Sequence, residues 1–101
     1  MDLKNLYKQA QQMQSKMQQV QSDLENETVK GESGGGAIAI HSNCKGEVQK
    51  VKINKEFIDL DDNIEILEDL ILAAFNDAKK KAESTANERM SSAGLPNNLM
   101  P

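Results

Sequence analysis

The sequence predicts an α+β domain of order α-β-β-β-α, with a three-stranded antiparallel meander (order 1-2-3) and two long helices, on three observations. An unbroken alternation of three and four residues between apolar side chains opens the chain, a Thr-, Val-, Ile- and Gly-rich stretch fills its middle, and a second run at helical spacing closes it. A chain of 101 residues has room for one core. With 3% aromatics and no Trp, that core lacks the large buried areas that aromatic rings supply, and a second subunit would make up the burial. A homodimer is therefore expected.

In the first element Leu3, Leu6, Ala10, Met13, Met17, Val20 and Leu24 form a heptad seam. Asp2 is placed to cap the helix, and neither Gly nor Pro interrupts it before Gly31. Its length of about 33 Å exceeds what a domain of this size needs to cover its own sheet. Two readings fit: a helix lying wholly on its own core, and a seam that also contacts a second helix, which the narrow a/d spacing favours. Breakers at Gly34-Gly35 and Asn43-Cys44-Lys45-Gly46 then divide the middle into strands near 27–33, 36–42 and 47–54. Ile38 and Ile40 alternate with Ala37, Ala39 and His41, and Val51 and Ile53 with Lys50 and Lys52, giving one apolar and one mixed face. Three strands leave two edges that need pairing or covering.

After Phe57, Ile58 and Leu60, Asp62 followed by Glu65 reads as a helix start, and the second helix is expected over 62–90. Its stripe of Leu67, Leu70, Ile71, Ala74, Phe75, Ala78, Ala82, Ala86 and Met90 passes from large to small side chains, which permits close packing. Gly94, Pro96 and Pro101 end regular structure, so a single domain over 1–91 and a flexible tail over 92–101 are expected.

Chemistry is harder to find. The Gly31 to Gly36 run is followed by Ala37-Ile38 where a phosphate loop needs Lys and Ser or Thr, so it reads as a hairpin. His41 and Cys44 are single and lack metal-ligand spacing, and both read as strand-end residues. The carboxylates of Asp59, Asp61, Asp62, Glu65, Glu68 and Asp69 read as capping and solvated charge. No metal site, cofactor, small-molecule substrate or enzymatic activity is expected, because no nucleophile, base and stabiliser come together. The opening residues hold neither a signal nor a membrane span, and a lone exposed thiol fits a reducing compartment, so a cytoplasmic protein with no membrane partner is expected.

The net charge of −4 and pI near 4.9 count against nucleic-acid binding. Locally the balance differs: Lys4 and Lys8 share a helical face with Lys16 further along, and Lys79, Lys80, Lys81 and Arg89 decorate the second helix. Lys8-Gln9-Ala10-Gln11-Gln12-Met13-Gln14 with Met17, Gly31-Glu32-Ser33-Gly34-Gly35-Gly36, and Leu67-Glu68-Asp69-Leu70-Ile71-Leu72-Ala73-Ala74-Phe75-Asn76-Asp77-Ala78 together resemble the bacterial YbaB/EbfC family. Asn43-Cys44 departs from the Asn-Gly common at that hairpin. The resemblance implies an α-β-β-β-α homodimer in the nucleoid that binds duplex DNA with weak or no sequence preference and influences nucleoid organisation and gene expression, without cofactor or catalysis. Family members are often acidic overall. Lys4, Lys8, Lys16, Lys79, Lys80, Lys81 and Arg89 are the expected phosphate contacts, inferred from charge. The alternative is a protein-binding adaptor that uses the heptad helix, with DNA contact incidental.

Overall fold

The computed structural model describes residues 2–57 and 64–95. Helix α1 spans Leu3–Asn26, strands β1, β2 and β3 span Thr28–Ser33, Ile38–Asn43 and Val48–Ile53, a 3-10 turn covers Lys55–Phe57, and helix α2 spans Ile64–Ser92. The strands form one antiparallel sheet in the order β1-β2-β3, as the alternation predicts. Asp2 caps α1 by accepting from the Lys4 amide at 3.1 Å. The start of α2 expected at Asp62, and Ile58 and Leu60, lie outside the described residues.

The hairpin between β1 and β2 places Gly34, Gly35 and Gly36 at φ of 62, 67 and 98°, a region that L side chains avoid. The second hairpin is organised by Asn43, whose Oδ1 accepts from the amides of Lys45 and Glu47 at 3.0 Å each. Cys44 turns inward: its amide donates to the carbonyls of Leu24 and Glu27, and its side chain is buried with Val20, Leu24, Met90 and Leu95. The thiol expected to be exposed is thus a core residue. Burial raises its pKa, which keeps it in the unreactive protonated form.

Helix α2 lies across β1 and β2 and leaves β3 uncovered. Ile38 and Ile40 meet Ala74 and Ala78, flanked by Leu67, Leu70 and Ile71. This is possible because Gly31 has no side chain: a Cβ there would sit 2.3 Å from the Ala74 carbonyl oxygen and the Ala78 nitrogen. On the outer edge of β1, Asp77 Oδ2 accepts from the Glu32 amide at 2.9 Å, and Lys81 Nζ donates to the Lys30 carbonyl at 2.8 Å. Side chains of α2 therefore block one sheet edge. The other edge, β3, is exposed along all six residues.

Packing decides three points that spacing alone left open. The heptad seam does not lie wholly on its own core: Val20 and Leu24 are buried, Met17 is half-buried, and Leu3, Leu6, Ala10 and Met13 are exposed. The helix meets α2 only near its C-terminal end and projects beyond it, which explains a radius of gyration of 19.0 Å where about 13 Å is usual for 100 residues. Phe75, Val51 and Ile53, placed on apolar faces by their spacing, are 41 to 50% exposed because α2 stops short of β3. At the other end, residues 92–95 belong to the fold. Gly94 at φ 73° terminates α2, the Leu95 amide donates to the Met90 carbonyl at 2.9 Å, and Leu95 packs on Met90. The remaining tail expected over 96–101 lies outside the described residues.

Candidate nucleic-acid interface

The projecting part of α1 carries unopposed positive charge. Lys4 and Lys8 lie one turn apart on one face, and Lys16, about 18 Å along the axis from Lys4, is turned from it by about 120°, so the three lysines wind around one side of the arm. From Leu3 to Ser22 the helix holds these three lysines and no Asp or Glu. The rest of the chain has nine Lys and Arg against sixteen Asp and Glu, a net −7. Because the arm extends beyond a Debye length of roughly 8 Å at physiological salt, its tip is screened from the acidic body. The stripe runs along shallow hollows lined first by Lys4, Tyr7, Lys8 and Gln11, then by Gln12, Ser15 and Lys16, and it reaches α2 where Lys16 and Gln19 face Arg89 and Ser92.

The cations of α2 are differently placed. Arg89 donates through Nε and Nη2 to both carboxylate oxygens of Glu27, at 3.0 and 2.9 Å. Lys81 is held 3.1 Å from Asp77 as it caps the β1 edge. Lys79 and Lys80 are exposed and form no ion pair among the described residues, and Lys79 lines a hollow with Ser42, Val48 and Phe75. Between Asp77 and Arg89 the helix has four cations and three acids. The two clusters that look equivalent in sequence are unequal. The acid-free run of α1 is legible in the sequence as a gap between acids rather than as a cluster of lysines.

Three carboxylates are tuned by these contacts. The Arg89 guanidinium holds Glu27 below the usual carboxylate range, Lys30 does the same to Glu32 across a 2.7 Å ion pair, and the Glu32 amide followed by Lys81 lowers Asp77. All three are depressed in the folded state, so their stabilisation is present above their unfolded pKa values and lost as pH falls through the folded ones. The thermal midpoint is expected to stay level on acidification to about pH 5 and to drop below about pH 4, as a pH series of circular-dichroism melts would record. All three are solvent-exposed, so the loss should be partial.

Among the described residues no group of three or more His, Cys, Asp or Glu could hold a metal ion, and no helix is long and apolar enough to cross a membrane. A three-stranded sheet under one long helix, with a second helix projecting as a basic arm, defines a small α-β-β-β-α protein. The chain belongs to the YbaB/EbfC DNA-binding family, whose model matches residues 1–95. It is 46% identical over 100 residues to a nucleoid-associated protein of Ruminiclostridium cellulolyticum, covering 94% of this chain and 86% of the relative. It is also 48% identical over 90 residues to a nucleoid-associated protein of Chloroflexus aurantiacus, covering 89% of each. The fold matches the crystal structure of an uncharacterized protein from Helicobacter pylori with a TM-score of 0.77 at 22% identity, over 91% of this chain and 96% of the other.

Proposed function

We propose that the protein binds duplex DNA as a homodimer in the bacterial nucleoid, with weak or no sequence preference, and so influences nucleoid organisation and gene expression. The observation that carries this reading is the acid-free, lysine-bearing arm projecting from an acidic body in a chain of a DNA-binding family. Lys4, Lys8 and Lys16 contact phosphates, with Lys79 and Lys80 as secondary contacts; Lys81 and Arg89 join only by giving up Asp77 and Glu27. Lysine ammonium groups position a protein on the backbone and read no bases, so any preference comes from DNA shape. Fluorescence-anisotropy titration of two duplexes of unrelated sequence should give affinities within about threefold of each other, both falling steeply with salt. No binding at low salt would end the proposal.

The second copy docks over the uncovered apolar surface. Val48, Val51 and Ile53 form a row on β3 beside Leu72 and Phe75 of α2, all 41 to 60% exposed, and the adjacent strand edge is unpaired within the chain whereas the β1 edge is blocked. A small domain that leaves this much apolar area in water gains by burying it against itself. Val51→Asp is therefore expected to shift the light-scattering mass from about twice the chain mass to the chain mass, because a carboxylate in an apolar interface costs several kcal/mol; an unchanged dimer would place the interface elsewhere. One observation favours the adaptor reading as a second: Leu3, Leu6 and Met13 are exposed beside the lysine stripe. Protein complexes that survive nuclease digestion and are lost on Leu6→Lys would support it.

A further inference from the structure

Helix α2 covers one face of the sheet, and the opposite face bears a row with a lysine at each end that strand register creates. Lys30 pairs in register with His41, and His41 with Lys50. One step along, Glu32 pairs with Ala39 and Ala39 with Lys52. Because side chains alternate, these residues point away from Ile38, Ile40 and Gly31, which face α2. The positions of Lys30 and Lys50 are two strand spacings apart, roughly 10 Å, comparable with the roughly 12 Å width of the major groove.

Over residues 28–53 the chain has four lysines and two glutamates, against the acidic balance of the whole. Of those glutamates, Glu32 is engaged by Lys30 at 2.7 Å and Glu47 is drawn into the hairpin by Asn43 Nδ2 at 3.2 Å. Lys50 and Lys52 are exposed and have no ion pair among the described residues. The segment contains no Phe, Tyr or Trp. It offers charge without a stacking platform, which suits the backbone of a duplex better than a single strand.

We infer that this helix-free face, with Lys50 and Lys52 along its β3 side, is a second duplex-contacting surface, so that a dimer whose arms hold one DNA segment bridges to another. The inference rests on the reading of the arms as the first DNA site. It leaves the dimer surface free, since that surface lies on the opposite side of β3. The competing account is that lysines on an edge strand only guard against edge-to-edge aggregation.

The test pairs two measurements on the full-length protein. One is anisotropy with a single duplex; the other is recovery of a labelled second duplex on beads carrying the first. The Lys50→Glu/Lys52→Glu variant, and the milder Lys50→Gln/Lys52→Gln variant as a safeguard against misfolding, should bind a single duplex within about threefold of wild type and lose recovery of the second by about tenfold or more. Wild-type binding to one duplex without recovery of a second overturns the inference and spares the first reading. Equal recovery by folded variants and wild type also overturns it and leaves the edge-guard account. Failure of wild type to bind any duplex removes both. Displacement of the second duplex by polyglutamate at equal charge concentration would assign the face to acidic proteins and overturn the DNA assignment.

Discussion

Gly31→Val is expected to abolish folding, and Gly31→Ala to lower stability by about 4 kcal/mol or more, beyond the usual cost of overpacking. A Cβ at this position meets the Ala74 carbonyl oxygen and the Ala78 nitrogen at 2.3 Å and the Ala78 Cβ at 2.6 Å. Two of these neighbours are helix backbone, which cannot rotate away as a side chain would. Relief requires α2 to lift from β1, and that would separate Asp77 from the Glu32 amide and Lys81 from the Lys30 carbonyl. The edge of β1 would then open together with the core between Ile40, Ala74 and Ala78. For a domain of this size the loss corresponds to a fall in Tm of roughly 20 °C. Adding Ala78→Gly should recover only part of it, because the backbone contacts remain. Gly35→Ala is the control: nothing lies within 4 Å of its Cβ, so only the φ of +67° is penalised, at about 1 kcal/mol. Equal melting temperatures for the Gly31 and Gly35 alanine variants would refute the close approach.

Replacing Lys4, Lys8 and Lys16 together with Ala is expected to weaken duplex binding by about a hundredfold at physiological salt while leaving the fold intact. The three side chains are exposed and make no ion pair among the described residues, so the free protein loses nothing comparable. A dimer would lose six phosphate contacts, and a protein with six to ten such contacts changes affinity by about 10³ to 10⁵ over a modest salt range. Alanine also favours helix, so the arm should persist. Lys79→Ala/Lys80→Ala should cost less, since the acids Asp77, Glu83 and Glu88 already offset that part of α2. The reverse ranking in a titration series would move the DNA site from the arm to α2.

Periodicity made the elements and their order legible, because turn glycines and the switch from helical to alternating spacing are local signals. It could say which face of each element is apolar but not how far its neighbour reaches. The seam continues unchanged from Leu3 to Leu24, yet α2 supports only its last turns. Phe75 continues the stripe of Ala74 and Ala78, yet it overhangs the uncovered β3. Contacts between residues far apart in the chain were beyond local reading: Asp77 with Glu32, Lys81 with Lys30, and Arg89 with Glu27 depend on how the helix is docked. Cys44 illustrates the same limit, since a turn position gives no sign that its side chain closes a core. Among the expected DNA contacts, the spacing of Lys4 and Lys8 was legible as one helical face, but the sequence could not distinguish the unpaired Lys79 and Lys80 from the engaged Lys81 and Arg89. The lysine-ended row on the sheet depends on a register that includes an irregularity between His41 and Ser42, so alternation alone could not align it.

If this acidic protein grips DNA through a few lysines carried clear of its body, the dependence of affinity on salt shows it most directly. Anisotropy titrations of wild type and the Lys4→Ala/Lys8→Ala/Lys16→Ala variant should be compared between about 50 and 200 mM salt. The wild-type plot of log affinity against log salt is predicted to fall with a slope of about −5 or steeper, six arm contacts contributing about 0.9 each, and the variant's slope should be shallower by about 5, keeping only what Lys79 and Lys80 contribute. Equal slopes for the two proteins would contradict the account.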